Sequence, residues 1–511
     1  MPQQQQLRQT TRIPLVGAPS TRTFWNSNAY GGTASGFVGI GVVGVMIVGN
    51  VTTSTLDQRF INAIPDKIVN PMTGKERFYV YKRPGFETHT TPASGSPGTA
   101  IRVWTGQGTG DKVISAFGGT NSTIYDGTTS LGAIVGVARD ITERDVAGTA
   151  TLVIPVDNSR AYTFQNGGAL TQITDTDYPG EASLTTAGTF VHMDGYSFIM
   201  TTGGRVYNSD LNSIANWSAT GYLSAQFYPD VGVGLARYKD MIVAFGRESM
   251  EFYRNIGNPT GSPLQRIDDL FVKVGAVNST AIVQMEDNIA WVGSSDIGTI
   301  SVYILENYKP KRISTTVIDT QLAWRGGPSV YLTSAKLFGK TLIFLQYGLV
   351  TYVYCLEDDM WHEWAPASTI LWHKFAANTN ANSLVYSVSR NNTSGKVYKI
   401  SQTSPTYQDD GSNFTMTIQT NKVDMDSENY KRLHRLTIVS DETINATNLN
   451  ISWSDNDYDT FTTARTATMA SDRHYLSNCG SFRRRAFRLT NASSEPMRLE
   501  ALELYYTESL H

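Results

Sequence analysis

One pattern recurs along the 511-residue chain and limits its fold more than any other feature. It is a turn, an apolar run of about five residues, a tight turn, and a second run carrying aromatics. The clearest copy is Lys239-Asp240, then Met241-Ile242-Val243-Ala244-Phe245, then Gly246-Arg247-Glu248-Ser249, then Met250-Glu251-Phe252-Tyr253. Met250, Phe252 and Ile256 have even spacing and so share one face of an extended chain. Asp194-Gly195, Asp287-Asn288 and Gly339-Lys340 open the same unit, which gives a step of roughly 46 to 52 residues. Further copies follow Gly110-Asp111 and begin at Leu384, and a weaker one lies at Val153-Ile154-Pro155. Six or seven units fit between about residues 100 and 405. A small sheet with so apolar a strand cannot bury its faces alone, so the units must stack, and closing them into a ring leaves only short edges. The step matches a four-stranded propeller blade. A large antiparallel sandwich also yields strand pairs, but not at a fixed step.

Composition agrees. Charged residues are 17% of the chain, where about a quarter is usual. Thr, Ser, Asn, Gly and Tyr fill the gap, the palette of strands and turns. The expectation is an all-β chain: a β-propeller of six or seven blades followed by a small C-terminal β-sandwich-like domain. Residues 1–36 read as an extended N-terminal arm, 37–410 as the propeller with its N-terminal strands, and 411–511 as the sandwich domain. Asp409-Asp410-Gly411-Ser412-Asn413 reads as the linker between them, and after it the runs alternate apolar and polar, as for sheets with one wet face.

The net charge of −3 argues against a dedicated nucleic-acid binder, which needs a basic surface to neutralise phosphates. The N-terminus shows no basic stretch followed by an apolar one, so no signal peptide is expected. Residues 37–49 (FVGIGVVGVMIVG) are too short to span a bilayer and read as a buried strand or hairpin. Cys355 and Cys479 offer neither a disulfide framework nor zinc spacing and are expected as free thiols.

No catalytic, cofactor or metal site is expected. Gly39-Ile40-Gly41-Val42-Val43-Gly44 matches a dinucleotide fingerprint by letter, but β-formers follow where the motif needs a helix. Trp361-His362-Glu363-Trp364 and Trp372-His373 lack the partners that zinc or nucleophilic chemistry requires and read as blade packing. Ser452-Trp453-Ser454-Asp455-Asn456-Asp457-Tyr458-Asp459-Thr460-Phe461 is similar to the Asp-box hairpin of sialidases, with Asp457 or Tyr458 in the usual glycine position. That box is structural, and no carboxylate pair suited to a glycosidase stands out. Arg483-Arg484-Arg485 with Arg488 is the densest basic run; as a strand it points Arg483 and Arg485 one way and Arg484 the other. Solvated or interfacial arginines account for it better than phosphate contacts. Arg247 and Glu248 read as a charge pair on a hairpin turn.

Three stretches taken together resemble the tail hub, or nozzle, proteins of short-tailed bacteriophages, also called packaged-DNA stabilisation proteins. They are Arg59-Phe60-Ile61-Asn62 through Tyr81-Lys82-Arg83-Pro84-Gly85, then Ala244-Phe245-Gly246-Arg247-Glu248-Ser249-Met250-Glu251-Phe252-Tyr253, then Ile451-Ser452-Trp453-Ser454-Asp455 with the arginine run. The resemblance implies a non-enzymatic virion protein of the tail, assembled in the host cytoplasm. It implies a homo-hexameric ring below the portal and adaptor that carries tail fibres or tailspikes. A needle or plug closes the tube, which retains packaged double-stranded DNA and conducts it at infection, and no cofactor or membrane span is involved. The competing expectation is a sialidase-like or glycan- and receptor-binding propeller.

Overall fold

The computed structural model describes residues 8–15, 58–69 and 76–509, less 106–109, 147, 226–227, 229, 287, 295–297, 326–329, 349, 368–369, 378–383, 391–393, 442, 444–446 and 470–473. The glycine motif at 39–44 and the apolar run 37–49 lie outside the described residues, as does all of the arm except 8–15.

The regular structure of the described residues is nearly all strand, with one α-helix, Thr316–Arg325. Seven four-stranded blades, six of them separate sheets and one the first part of a nine-stranded sheet, follow one another. Blade 1 is Gly98–Trp104, Lys112–Phe117, Ser122–Asp126 and Thr129–Ile134. Blade 2 is Thr142–Val146, Thr149–Pro155, Ala161–Gln165 and Thr171–Gln172. Blade 3 is Thr186–Met193, Tyr196–Thr201, Arg205–Ser209 and Trp217–Ser224; blade 4 is Gly232–Tyr238, Met241–Gly246, Met250–Asn255 and Leu264–Val272. Blade 5 is Ile282–Gln284, Ile289–Ser294, Ile300–Glu306 and Lys309–Arg312; blade 6 is Val330–Leu337, Lys340–Tyr347, Val350–Cys355 and Met360–Trp364. Blade 7 takes three strands, Trp372–Ala377, Leu384–Ser389 and Val397–Ser401, from the end of the propeller and its outer strand, Glu87–Thr90, from the beginning. Blade 7 then lies against blade 1, which closes the ring.

The recurring unit in the sequence is the second and third strand of each blade, not the strand pair nearest the axis. The second strand is apolar throughout because neighbouring blades cover both its faces: Phe245 faces Trp291 of blade 5 at 5.6 Å, while Ile242 and Ala244 face blade 3. In the tight turn after it, a Cβ on Gly246 would lie 2.3 Å from Asp230 Oδ2. The missing side chain lets that oxygen accept the amides of Glu248 and Ser249 at 2.6 and 3.1 Å. Arg247 and Glu248 are exposed and form no ion pair with each other.

The N-terminal strands depart from the grouping made on sequence. Arg59–Ile61 runs parallel to the outer strand of blade 6 and antiparallel to Met416–Gln419, so blade 6 continues as one nine-stranded sheet through Ala486–Asn491, Asn448–Ser454 and Arg465–Thr468. Ala63–Val69, Glu76–Lys82 and Arg8–Pro14 join Arg498–Glu508 and Lys431–Ser440 in a second sheet. The two sheets enclose Phe60, Ile418, Leu436, Phe487 and Leu504 in a core that continues into blades 5 and 6 through Val292, Ile304, Leu345 and Trp361. Propeller and sandwich therefore share one hydrophobic core.

Candidate functional site

Two places concentrate polar groups inside the fold. The first is the axis of the propeller. The first strands of all seven blades line a cavity of about 580 Å3. On its wall Arg102 of blade 1 meets Glu143 of blade 2 at 3.1 Å. His192 of blade 3 shares hydrogens with Thr142 Oγ1 at 3.1 Å and Ser197 Oγ at 2.9 Å. Burial, then Arg144 and Arg102, pull this imidazole down to about 3, so it stays neutral. Arg144 behind it is buried, has no carboxylate partner among the described residues, and donates to Ser197 Oγ, Ser209 Oγ and the carbonyls of Ser213 and Gly195. In a smaller neighbouring cavity, lined also by Arg139, Thr189 and Thr333, Lys374 donates to the carbonyl of Arg139, and burial lowers its ammonium below the usual range.

Dimensions decide what this axis can pass. Even its whole empty volume of about 1670 Å3, spread along inner strands about 20 Å long, gives a section under about 100 Å2. The major groove of duplex DNA is about 8.5 Å deep, so the duplex section exceeds about 200 Å2. Duplex DNA cannot thread a single propeller.

The second place is the joint between propeller and sandwich. Arg83 is fully buried and uses all five of its N–H donors. Nε donates to Asn62 Oδ1 at 2.7 Å, Nη1 to the Pro84 carbonyl and Asp409 Oδ1 at 2.9 Å each, and Nη2 to Asp409 Oδ2 at 2.6 Å and the Ala365 carbonyl at 3.1 Å. Its guanidinium lies 3.8 Å from the centre of Phe414. Asp409 also accepts the amides of Phe86 and Ala367 at 3.2 and 3.0 Å. The stretch read as a linker is thus the buried anchor where five segments meet. Beside it Thr88 and Lys396 hold Asp410 Oδ1 and Oδ2 at 2.6 and 2.5 Å, fastening the outer strand of blade 7.

The residues weighed for chemistry serve packing. Trp364 donates to His362 Nδ1 at 3.1 Å, Trp361 to the Ile313 carbonyl at 2.8 Å, and Trp372 to Thr351 Oγ1 at 3.1 Å. Cys355 and Cys479 are buried free thiols, both pushed up by burial. The arginine run is not a strand with two faces. Arg485 is buried and clamps Asp455 with Nε and Nη2 at 2.6 and 2.8 Å, Arg484 pairs with Asp457 at 3.3 Å, and Arg483 lies 4.6 Å from Tyr430. This clamp fixes the Asp-box hairpin, where the Tyr458 amide donates to Ser454 Oγ at 3.0 Å. Among the described residues no three His, Cys, Asp or Glu side chains cluster as a metal site would need.

The class is therefore a β-propeller with a β-sandwich built onto its sixth blade and a structural node at the joint. Residues 53–334, more than half of the chain, match the family described as bacteriophage P22 Gp10, beta-propeller. The chain belongs to that family, a family of phage structural proteins that stabilise packaged DNA. No curated protein matches it in sequence. Among solved structures it is similar to Raptor of Chaetomium thermophilum (11% identity, 64% of this chain and 30% of that one, TM-score 0.39). It is similar also to the N-terminal domain of Nup159 (8%, 66% and 97%, 0.40). A third is PorZ, a bacterial surface component of the type-IX secretion system of Porphyromonas gingivalis (9%, 77% and 46%, 0.38). The chain thus spans less than a third of the Raptor chain.

Proposed function

We infer that this chain is the tail hub, or nozzle, of a short-tailed phage. Six copies form a ring below the portal and adaptor, carry fibres or tailspikes, retain the packaged DNA and conduct it at infection, with a needle or plug at the far end. The chain performs no catalysis in this role. Membership of the phage stabilisation family carries the reading. Two physical observations support it. The axis of one propeller is too narrow for a duplex, so a conduit needs a lumen between subunits. A net charge of −3 suits a lining that must not grip phosphates, because each one neutralised by Lys or Arg adds affinity that passage has to break. The shared core of propeller and sandwich supplies a rigid wall element for such a ring.

The test is assembly. Light scattering of the purified chain, alone and with portal–adaptor particles, is expected to give a hexamer or a monomer that forms a ring only on the particles. A stable monomer indifferent to the adaptor, or turnover of glycosides, overturns the proposal.

A further inference from the structure

The nine-stranded sheet carries an unusual row of side chains where it runs from blade 6 into the sandwich. Arg59, Gln419, Arg488 and Ser452 stand opposite one another on four successive strands. Arg59 donates Nε and Nη2 to Glu363 Oε2 at 3.3 and 2.8 Å. Arg488 has no carboxylate partner among the described residues. Its Nε and Nη2 converge on the neutral Gln419 Oε1 at 3.1 and 2.8 Å, and its guanidinium lies 3.5 Å from the centre of the Phe461 ring. Two strand spacings put the arginine backbones about 10 Å apart. The row thus holds one uncompensated positive charge, oriented by a hydrogen-bonded amide and an aromatic ring. Burial and the nearby Arg59 both work against that charge, so an incoming anion would relieve it.

The same domain exposes the opposite charge. The loop between Met416–Gln419 and Lys431–Ser440 presents Asp424, Asp426 and Glu428 at every second position, all exposed. None makes an ion pair among the described residues. The buried Lys431 holds the loop against the second sheet by donating to the carbonyls of Ser427 and Asn429. The two patches are therefore opposite in sign, one on the sheet and one on the loop that follows it. Such a pair suits a head-to-tail contact, in which each subunit offers two different faces.

We propose that the acidic loop at 424–428 of one copy docks on the Arg488 row of the next copy. The proposal rests on the ring reading above. It is tested on the full chain by assembly with portal–adaptor particles, followed by light scattering at several salt concentrations. Arg488→Glu alone, and the loop change Asp424→Lys, Asp426→Lys and Glu428→Lys alone, are each expected to raise the concentration needed for assembly at least tenfold. The chain carrying all four changes is expected to return to within about threefold of wild type. Arg59 is left in place because it holds the buried Glu363, and thermal melts of each variant check the fold. A combined chain no better than the worse parent overturns the contact, as does either parent assembling like wild type. Loss of duplex DNA association with unchanged assembly would assign the row to phosphate and overturn it too. A wild type that never forms a ring defeats the ring reading itself, whereas a ring indifferent to these changes defeats only this contact.

Discussion

Arg83 and Asp409 stand 326 residues apart in the chain and meet in a fully buried, two-pronged ion pair, Nη1 to Oδ1 at 2.9 Å and Nη2 to Oδ2 at 2.6 Å. Every donor of Arg83 is used, so no other side chain can replace it in place. A lysine would supply three donors from a point charge where the node needs five in a planar fork. Asp409→Asn is expected to cost about 3–5 kcal/mol because it leaves a buried guanidinium uncompensated, and Arg83→Lys about 2–3 kcal/mol because it keeps the charge but leaves buried acceptors without donors. Urea unfolding measures this, and a loss below about 1 kcal/mol would show the node to be dispensable.

Two histidines, His362 buried between strands and His192 half-buried on the wall of the axis, predict an acid-side weakness. Burial, helped by nearby cations, pulls both His192 and His362 down to about 3, against about 6.5 in the unfolded chain. Between those values the unfolded chain binds protons that the folded one refuses. The stabilisation is full above pH 6.5 and is lost as pH falls toward 3, at about 1.4 kcal/mol per pH unit for each histidine. Replacing both by glutamine should flatten the fall in unfolding free energy between pH 6.5 and 4.5. An unchanged slope would place the acid sensitivity elsewhere.

The blades were legible because their second strands are covered on both faces and so are continuously apolar at a fixed step. The first strands were not. Gly234 and Arg237 of blade 4 border a polar axis, and no periodicity marks a strand with one wet face. The joint was hidden for a different reason. Asp409-Asp410-Gly411 has the chemistry of a solvated turn, and nothing local reveals that one carboxylate has a buried arginine waiting far upstream. Likewise three adjacent arginines suggest an alternating strand, yet the strand begins only at Ala486 and Arg485 turns inward to Asp455.

Ring closure depends on residues borrowed from the N-terminal side. Phe86 is fully buried between blades 6 and 7, stacked on Trp372 at 4.6 Å and edge-on to Trp364 at 6.1 Å. It lies next to Glu87–Thr90, which pairs with blade 7 through only three registered residues. So short a strand cannot hold the ring by backbone bonds alone, and the aromatic anchor must contribute. Phe86→Ala should cost about 3–5 kcal/mol. Hydrogen exchange should then rise first in Val397–Ser401, the strand that loses its neighbour. Uniform exchange across all blades would contradict this placement of the latch.

The Asp-box hairpin separates backbone strain from side-chain packing. Asp457 and Tyr458 both adopt left-handed conformations, with φ of 59° and 70°, where glycine is usual. At Asp457 a glycine would remove about 1–2 kcal/mol of strain. It would return about 0.4–1 kcal/mol through a freer unfolded chain and lose exposed pairs with Lys422 and Arg484 worth about 0–1 kcal/mol. Asp457→Gly should therefore fall between about 1.6 kcal/mol more stable and about 1 kcal/mol less stable than wild type. Tyr458 is 5% exposed and donates its hydroxyl to the Thr420 carbonyl at 3.0 Å. Tyr458→Gly gains the same relief but gives up a buried ring worth about 3–5 kcal/mol, so a net loss of about 2–4 kcal/mol is expected. Thermal or urea unfolding of the two variants decides it. If Tyr458→Gly proves the more stable, the hairpin is limited by its backbone, and the ring is not what this chain gained by departing from glycine.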